Sequence, residues 1–311
     1  MNPLISICIP AYKRTEFLKR LLDSISIQSF QDFEVIVTDD SPGSDVEQLC
    51  IPYKSKFLLS HFRNNQPLGT PENWNEAISK ATGQWIKLMH DDDWFSGRDS
   101  LQAFADRIKA NPHVSFIFSA YSKIYLDEAK TEDIYVPFFR YRLLKKNPVT
   151  LLSTNIIGPP SVVLHLNNKK FVYDKKLKWL VDIDFYIRYL ERENPVYINR
   201  AIINVGVSAE QVTKETFRVP AIEIPENFYL LDKVGASQLK NILVYDAWWR
   251  LLRNLNIRKP SDIIDSGYTS PVPSAILNMI EFQRKIPYNI LKIGAFSKIS
   301  MSICFTMNLS K

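Results

Sequence analysis

Three consecutive carboxylates, Asp91-Asp92-Asp93, close a short apolar run that starts at Trp85, just after Gly83. An aromatic pair, Trp94-Phe95, follows them. A brief apolar run bounded by glycine reads as a buried strand. Open α/β sheets bind their ligands at the C-terminal ends of strands, which is where these acids fall. Neighbouring anions repel one another by roughly 1 kcal/mol per close pair in water, and by more when desolvated. A hard divalent cation holding a phosphate-bearing substrate would offset that repulsion. The plainer alternative is a solvated acidic turn ahead of the next helix. A second acidic strand end weighs against it: residues 33–38 read as a second strand that ends at Asp39-Asp40.

The elements that must position these acids follow a regular order. Residues 4–9 read as a strand closed by Pro10, and Thr15 as the cap of a helix carrying Phe17, Leu18, Leu21, Leu22 and Ile25. After the second strand come a short helix at 46–50, a third strand near 57–59 and a polar loop at 63–69. Thr70 then caps a helix with Pro71 at its first position, and Trp74, Ala77, Ile78 and Ala81 form its stripe until Gly83 stops it. The acid-ended strand follows, then a helix from Ser100 and a strand at 114–119. This alternation with short links is the rhythm of a parallel sheet covered on both faces. Both acid-ended strands then deliver their carboxylates to the same edge.

Composition narrows the class. The 311 residues are 46% apolar and 23% charged, which fits a soluble globular chain of one large domain or one domain with an appendage. Nine glycines and the absence of GxGxxG or GxxxxGK[ST] exclude a glycine-rich phosphate loop. The net charge of +6 admits nucleic acid, phosphate-rich substrates or an anionic membrane surface. Nucleic acid is disfavoured, because the acidic edge would repel it and no recognisable binding module occurs. The three cysteines, Cys8, Cys50 and Cys304, show no CxxC pair, and Cys8 reads as a small core residue in a reducing, cytoplasmic setting. No signal peptide and no spanning apolar run are evident.

Four motifs in order resemble the inverting family 2 glycosyltransferases with the GT-A fold. They are Ser6 to Arg14, then Val35-Ile36-Val37-Thr38-Asp39-Asp40-Ser41, then Asn73 to Ile78 with Ala81-Thr82-Gly83, and finally Met89 to Trp94. The resemblance spans residues 4–213. It implies a Rossmann-like, mostly parallel sheet flanked by helices, and transfer of a sugar from a nucleotide-diphosphate donor, such as a UDP-sugar, to an acceptor hydroxyl with Mn or Mg. It implies that Pro10, Ala11, Tyr12 and Asp39 or Asp40 surround the donor base and ribose, with Arg14 and Asn75 also on the donor side. Asp91, Asp92 and Asp93 correspond to the motif that holds metal and diphosphate. His90 stands where the family places its first Asp, so Asp92 leads as metal ligand, Asp93 is the second metal candidate and Asp91 faces the donor. His90 itself reads as a polar strand-end residue. The implied layout is a glycosyltransferase domain over 1–213, with a nucleotide-sugar half (1–120) and an acceptor half (121–213), and a helical basic region over 214–311.

Later in the chain, residues 125–149 are aromatic and basic without a period and read as a lid, an acceptor loop or irregular surface. Residues 158–161, Gly-Pro-Pro-Ser, lead into an apolar strand at 162–166 and correspond to a stretch beside the family's acceptor pocket. A helix at 179–191 carries Asp182 and Asp184, which cannot share a face. By resemblance Asp182 is the catalytic base, although Val181 replaces the usual Glu. A place in the helix's first turn would keep it ionised. Asp184 reads as structural, pairing with Arg188. Ser208 stands where the family often has a metal-binding His, so further ligands would be water or diphosphate. Residues 226–257 read as helical. Residues 282–311 contain no acid and five cations (Arg284, Lys285, Lys292, Lys298 and Lys311) among apolar Ile290, Ile293, Phe296, Ile299, Ile303 and Phe305. That pattern fits either a peripheral membrane contact or a core helix with a basic face. The expected acceptor is a glycan or lipid-diphosphate-linked glycan, as in O-antigen or capsule assembly. A non-catalytic nucleotide-sugar-binding scaffold remains the alternative.

Overall fold

The computed structural model describes residues 2–208 and 217–309. The chain forms two compact units, one of residues 1–146, 156–175 and 184–211 and one of 147–155, 176–183 and 212–311. The expected boundary at 213/214 lies outside the described residues. The second unit also draws in two short upstream segments, which the sequence did not announce.

The first unit is organised on a nine-stranded sheet. Its strands are β1 (Ile5–Ala11), β2 (Phe33–Asp39), β3 (Leu59–Arg63), β4 (Trp85–Leu88), β5 (Trp94–Phe95), β6 (Phe116–Tyr125), β7 (Lys130–Ile134), β8 (Val163–Leu166) and β9 (Val196–Val207). The order is β3-β2-β1-β4-β8-β6-β9-β5, with β7 also paired to β6. β3, β2, β1 and β4 run parallel. β8 then enters antiparallel to both β4 and β6, while β6 and β9 pair in parallel. The mostly apolar strands β1, β2 and β4 suit a parallel part of the sheet that is buried on both faces, with Ser6, Glu34 and Lys87 as buried polar exceptions.

Helices α1 (Thr15–Ser26), α2 (Asp45–Cys50), α3 (Glu72–Lys80), α4 (Ser100–Ala110) and α6 (Val181–Leu190) follow the predicted rhythm, and α5 (Phe138–Lys146) is an addition to it. α1 buries Leu18, Leu21, Leu22 and Ile25, the stripe expected of it. Its cap position is Arg14 and not Thr15, and no side chain bonds to the open N–H groups there. Gly83 does more than end a helix: a Cβ there would lie 2.7 Å from Ser6 Oγ and 2.8 Å from Ser6 N. Buried Glu34 closes the same junction, accepting from Ser6 Oγ, Thr82 N and Oγ1, and Gly83 N.

Two expectations are corrected here. The third strand lies at Leu59–Arg63, a few residues later than read, because its pairing with β2 begins at Val35↔Leu59. Residues 125–149 are not an irregular loop: β6 turns into β7 and α5 follows. Propensity hid α5, since only Leu144 of that helix is buried while Phe138 is 75% exposed.

The second unit is helical, with helices Pro220–Val234, Ile242–Asn254, Pro260–Asp265, Ser274–Arg284, Tyr288–Leu291 and Gly294–Leu309. Its core gathers Phe228, Tyr245, Trp248, Trp249, Ile276, Met279 and Met301. Polar bonds recruit the upstream segments. Glu226 accepts from the backbone N–H groups of Lys178, Trp179 and Leu180 at 2.8–2.9 Å. Arg250 donates to the Ser153 carbonyl at 2.5 Å. Among the described residues no helix is long and apolar enough to cross a membrane.

Candidate active site

β4 ends at Leu88, and Met89 N still reaches the Cys8 carbonyl at 2.8 Å before the chain turns, with Asp93 N donating to His90 O. The turn buries Asp91, Asp92 and Asp93 rather than leaving them in solvent. Arg14, at the end of the β1–α1 link, donates to Asp91 at 2.5 Å and to Asp92 at 3.3 Å. Arg20, one and a half turns further along α1, donates to the Asp92 carbonyl at 3.1 Å and stacks 3.7 Å from the centre of the Trp94 ring. Asp93 accepts from Gly206 N at 3.1 Å. Only glycine suits position 206, because a Cβ there would meet the Asp92 carbonyl at 2.5 Å.

Burial sets the electrostatics. It pushes Asp91 up to about 7 against the opposing pull of Arg14, and drives Asp93 well above the carboxylate range with help from the Asp92 charge. Buried acids this close retain protons unless more positive charge arrives. Some of it is built in. Lys87, wholly buried in β4, is pushed down to about 7 by burial, while the Asp93 charge works the other way. Its ammonium donates to the Ser161 and Val163 carbonyls and lies 5.0 Å from the Phe104 ring centre. Ser161 also accepts from His90 N at 3.0 Å, which puts the Gly-Pro-Pro-Ser stretch against the acid cluster.

The second acidic end is spent differently. Asp39 accepts from Ser41 N and bonds His61 Nε2 at 3.1 Å. Burial opposes its ionisation, yet those bonds prevail and hold its carboxyl below the usual range. Asp40 accepts from Asn64, Leu68 N and Gly69 N. Both carboxylates are buried and fix loops. Pro10 and Ala11 end β1, and Tyr12 beyond them is 48% exposed. Asn75 commits both ends of its amide to the Tyr173 backbone, each bond 2.8 Å.

His90, Asp92 and Asp93 each offer a ligand atom within 4.8 Å of the others. A set of one nitrogen and two carboxylate oxygens fits a divalent ion that keeps sites for water or diphosphate oxygens. Of the residues after Ser208, 209–216 lie outside the described structure.

In the second unit, Asp182 lies in the first turn of α6. It accepts from Asn155 Nδ2 at 3.0 Å and Ile183 N at 2.8 Å. Burial raises its carboxyl to about 6, against the lowering effect of the bonds from Ile183 N and Asn155, so it is still mostly ionised at neutral pH. Asp184, in the first unit, is fully buried and bonds Arg188 at 2.8 Å, the structural pairing expected of it.

The family model for glycosyl transferase family 2 matches residues 6–158. Residues 6–158 thus belong to glycosyltransferase family 2. An uncharacterised glycosyltransferase of Haemophilus influenzae is 26% identical over 64% of this chain and 67% of its own length. A β-1,3-glucosyltransferase of Campylobacter jejuni, named for the acceptor GalNAc(5)-diNAcBac-PP-undecaprenol, is 30% identical over 29% of this chain and 30% of its own. Among solved structures, TarS residues 1–349 of S. aureus, in complex with UDP-GlcNAc, superposes with a TM-score of 0.59 at 15% identity. That match covers 100% of this chain and 92% of the other. It establishes the GT-A fold, a mixed α/β sheet flanked by helices.

Several residues of this glycosyltransferase site escaped the sequence reading. Arg20 and Gly206 carried no signal, since nothing local says that α1 and β9 meet the same turn. Lys87 did leave one: a lysine in the otherwise apolar Trp85-Ile86-Lys87-Leu88 is out of place unless it is buried against carbonyls and acids.

Proposed function

We propose that this glycosyltransferase moves a hexose from a UDP-sugar to a glycan hydroxyl with inversion, aided by a divalent metal. The observation that carries the reading is the convergence of Asp91, Asp92, Asp93 and Arg14 at the C-terminal ends of parallel strands. Pro10, Ala11 and Tyr12 wall the base, while Asp39 and Asp40 fix the loops around it. Asn75 acts through the Tyr173 segment that it clamps. Arg14 and Asp91 face the diphosphate side, and Asp92 and Asp93 hold the metal. A metal held there would supply positive charge against the diphosphate leaving group. Asp182 takes the acceptor proton as the hydroxyl oxygen bonds to the anomeric carbon and the carbon–diphosphate bond breaks. The test is a panel of UDP-, GDP- and dTDP-sugars with Mn or Mg, followed by NMR of the product. The expected result is metal-linked stabilisation by a UDP-sugar and inverted configuration; retained configuration contradicts the reading.

The acceptor we propose is a lipid-diphosphate-linked glycan of the O-antigen or capsule kind, met at the cytoplasmic face of a membrane. The helix Gly294–Leu309 supports this, because its inner face has one large apolar side chain, Met301, beside Ser297, Ser300 and Cys304, while Phe296, Ile299, Ile303 and Met307 are exposed. The basic contribution is smaller than the sequence implied: Arg284 and Lys285 pair with Glu281, and Lys298 with Asp246. Exposed pairs of this kind are worth under about 1 kcal/mol, so an anionic surface can compete for the Glu281 partners. Sedimentation with anionic vesicles is expected to carry the protein down, and the surface change Ile299→Asp with Ile303→Asp to abolish it. Equal sedimentation of that variant removes the membrane from the reading.

A further inference from the structure

We propose that His90 is itself a metal ligand, through Nε2, so that the ion sits between one imidazole nitrogen and the carboxylates of Asp92 and Asp93. This rests on the assignment of Asp92 and Asp93 as metal holders and adds a nitrogen donor to it. Its consequence is a preference for manganese over magnesium.

The first observation is an orphan. His90 Nε2 is buried and has no hydrogen-bond partner among the described residues. A buried polar nitrogen without a partner costs about 1–3 kcal/mol, so the fold retains it against a penalty. The second observation is where that residue lies: His90, Asp92 and Asp93 bring one ligand atom each to within 4.8 Å.

The third observation is that the ring is held. Its backbone N–H donates to Ser161 Oγ at 3.0 Å. Its imidazole packs on Trp74, with ring centres 4.8 Å apart and planes tilted by 41°. Trp74 is set in turn by an edge contact to Tyr173, whose backbone is clamped by Asn75. An imidazole merely ending a strand needs no such scaffold, whereas ligating histidines are fixed by the groups behind them.

Ligand chemistry then decides the metal. Magnesium demands hard oxygen donors and dehydrates reluctantly, while imidazole favours first-row transition ions. With Ser208 where a histidine ligand would otherwise be expected, the site recovers its nitrogen from the strand end instead. Arg14 engages Asp91 and Asp92 and Gly206 N donates to Asp93, which leaves the histidine nitrogen as the uncommitted donor on that side.

The test uses the full chain with MnCl2 or MgCl2 alone and no donor. Pulsed electron paramagnetic resonance of bound manganese is expected to show coupling to a histidine nitrogen. His90→Phe keeps the ring on Trp74 without a nitrogen and is expected to weaken manganese binding by about tenfold or more, as losses around metal ligands do. Magnesium binding should change less, so the Mn-to-Mg preference falls. Bound manganese without nitrogen coupling overturns the role of His90 and leaves Asp92 and Asp93 standing. An unchanged Mn-to-Mg ratio in His90→Phe does the same. Failure of the unmodified chain to bind either ion overturns the underlying assignment as well. The spectroscopic arm needs no variant, so a folding defect in His90→Phe cannot rescue the proposal.

Discussion

Asp182→Asn is expected to lower kcat for sugar transfer by about 10²-fold or more, the scale of a lost general base, while donor affinity stays within about twofold. The asparagine keeps the size and can still meet Asn155 and the Ile183 N–H, so the first turn of α6 persists. The pH profile supplies an independent check. A base must be ionised to accept a proton, and burial raises the Asp182 carboxyl to about 6. At saturating donor and metal, kcat should therefore be flat above that value and fall about tenfold per pH unit below it. The acidic limb should vanish from the residual activity of Asp182→Asn. Full activity in the variant, or a limb that survives it, means that another group takes the proton.

Asp92→Ala is expected to remove metal-linked donor binding, with the loss near 100-fold or more since even supporting groups around a metal are worth 10- to about 100-fold. The fold should persist, because Asp92 lies in the turn after β4 and its carbonyl bond from Arg20 is untouched by the change. Arg14 keeps Asp91 as a partner. Calorimetry with a UDP-sugar should show the variant binding alike with and without metal. Unchanged affinity that still requires metal places the ion elsewhere.

The parallel half of the sheet was legible because its information is local and periodic. Mostly apolar strands β1, β2 and β4, amphipathic stripes on α1 and α3, and acids at or just past two strand ends all follow from burying the sheet under helices while ending at a ligand edge. The exact strand limits were less legible, as β3 shows, since its start is fixed by pairing with Val35 and not by its own residues. α5 was missed for a related reason: a helix that exposes Phe138 and Phe139 and buries only Leu144 carries no stripe to read.

The sequence by itself determined which carboxylates gather and at which edge, since strand direction carries Asp39, Asp40, Asp91, Asp92 and Asp93 to the same side. Only the tertiary structure decided what each one does there. Asp39 and Asp40 turn inward to hold loops because His61, Asn64 and two backbone N–H groups reach them from segments 22–29 residues away. Arg20, Lys87 and Gly206 join Asp91, Asp92 and Asp93 because α1, β4 and β9 converge on one turn, and charge and steric contact act through space, where distance along the chain has no bearing.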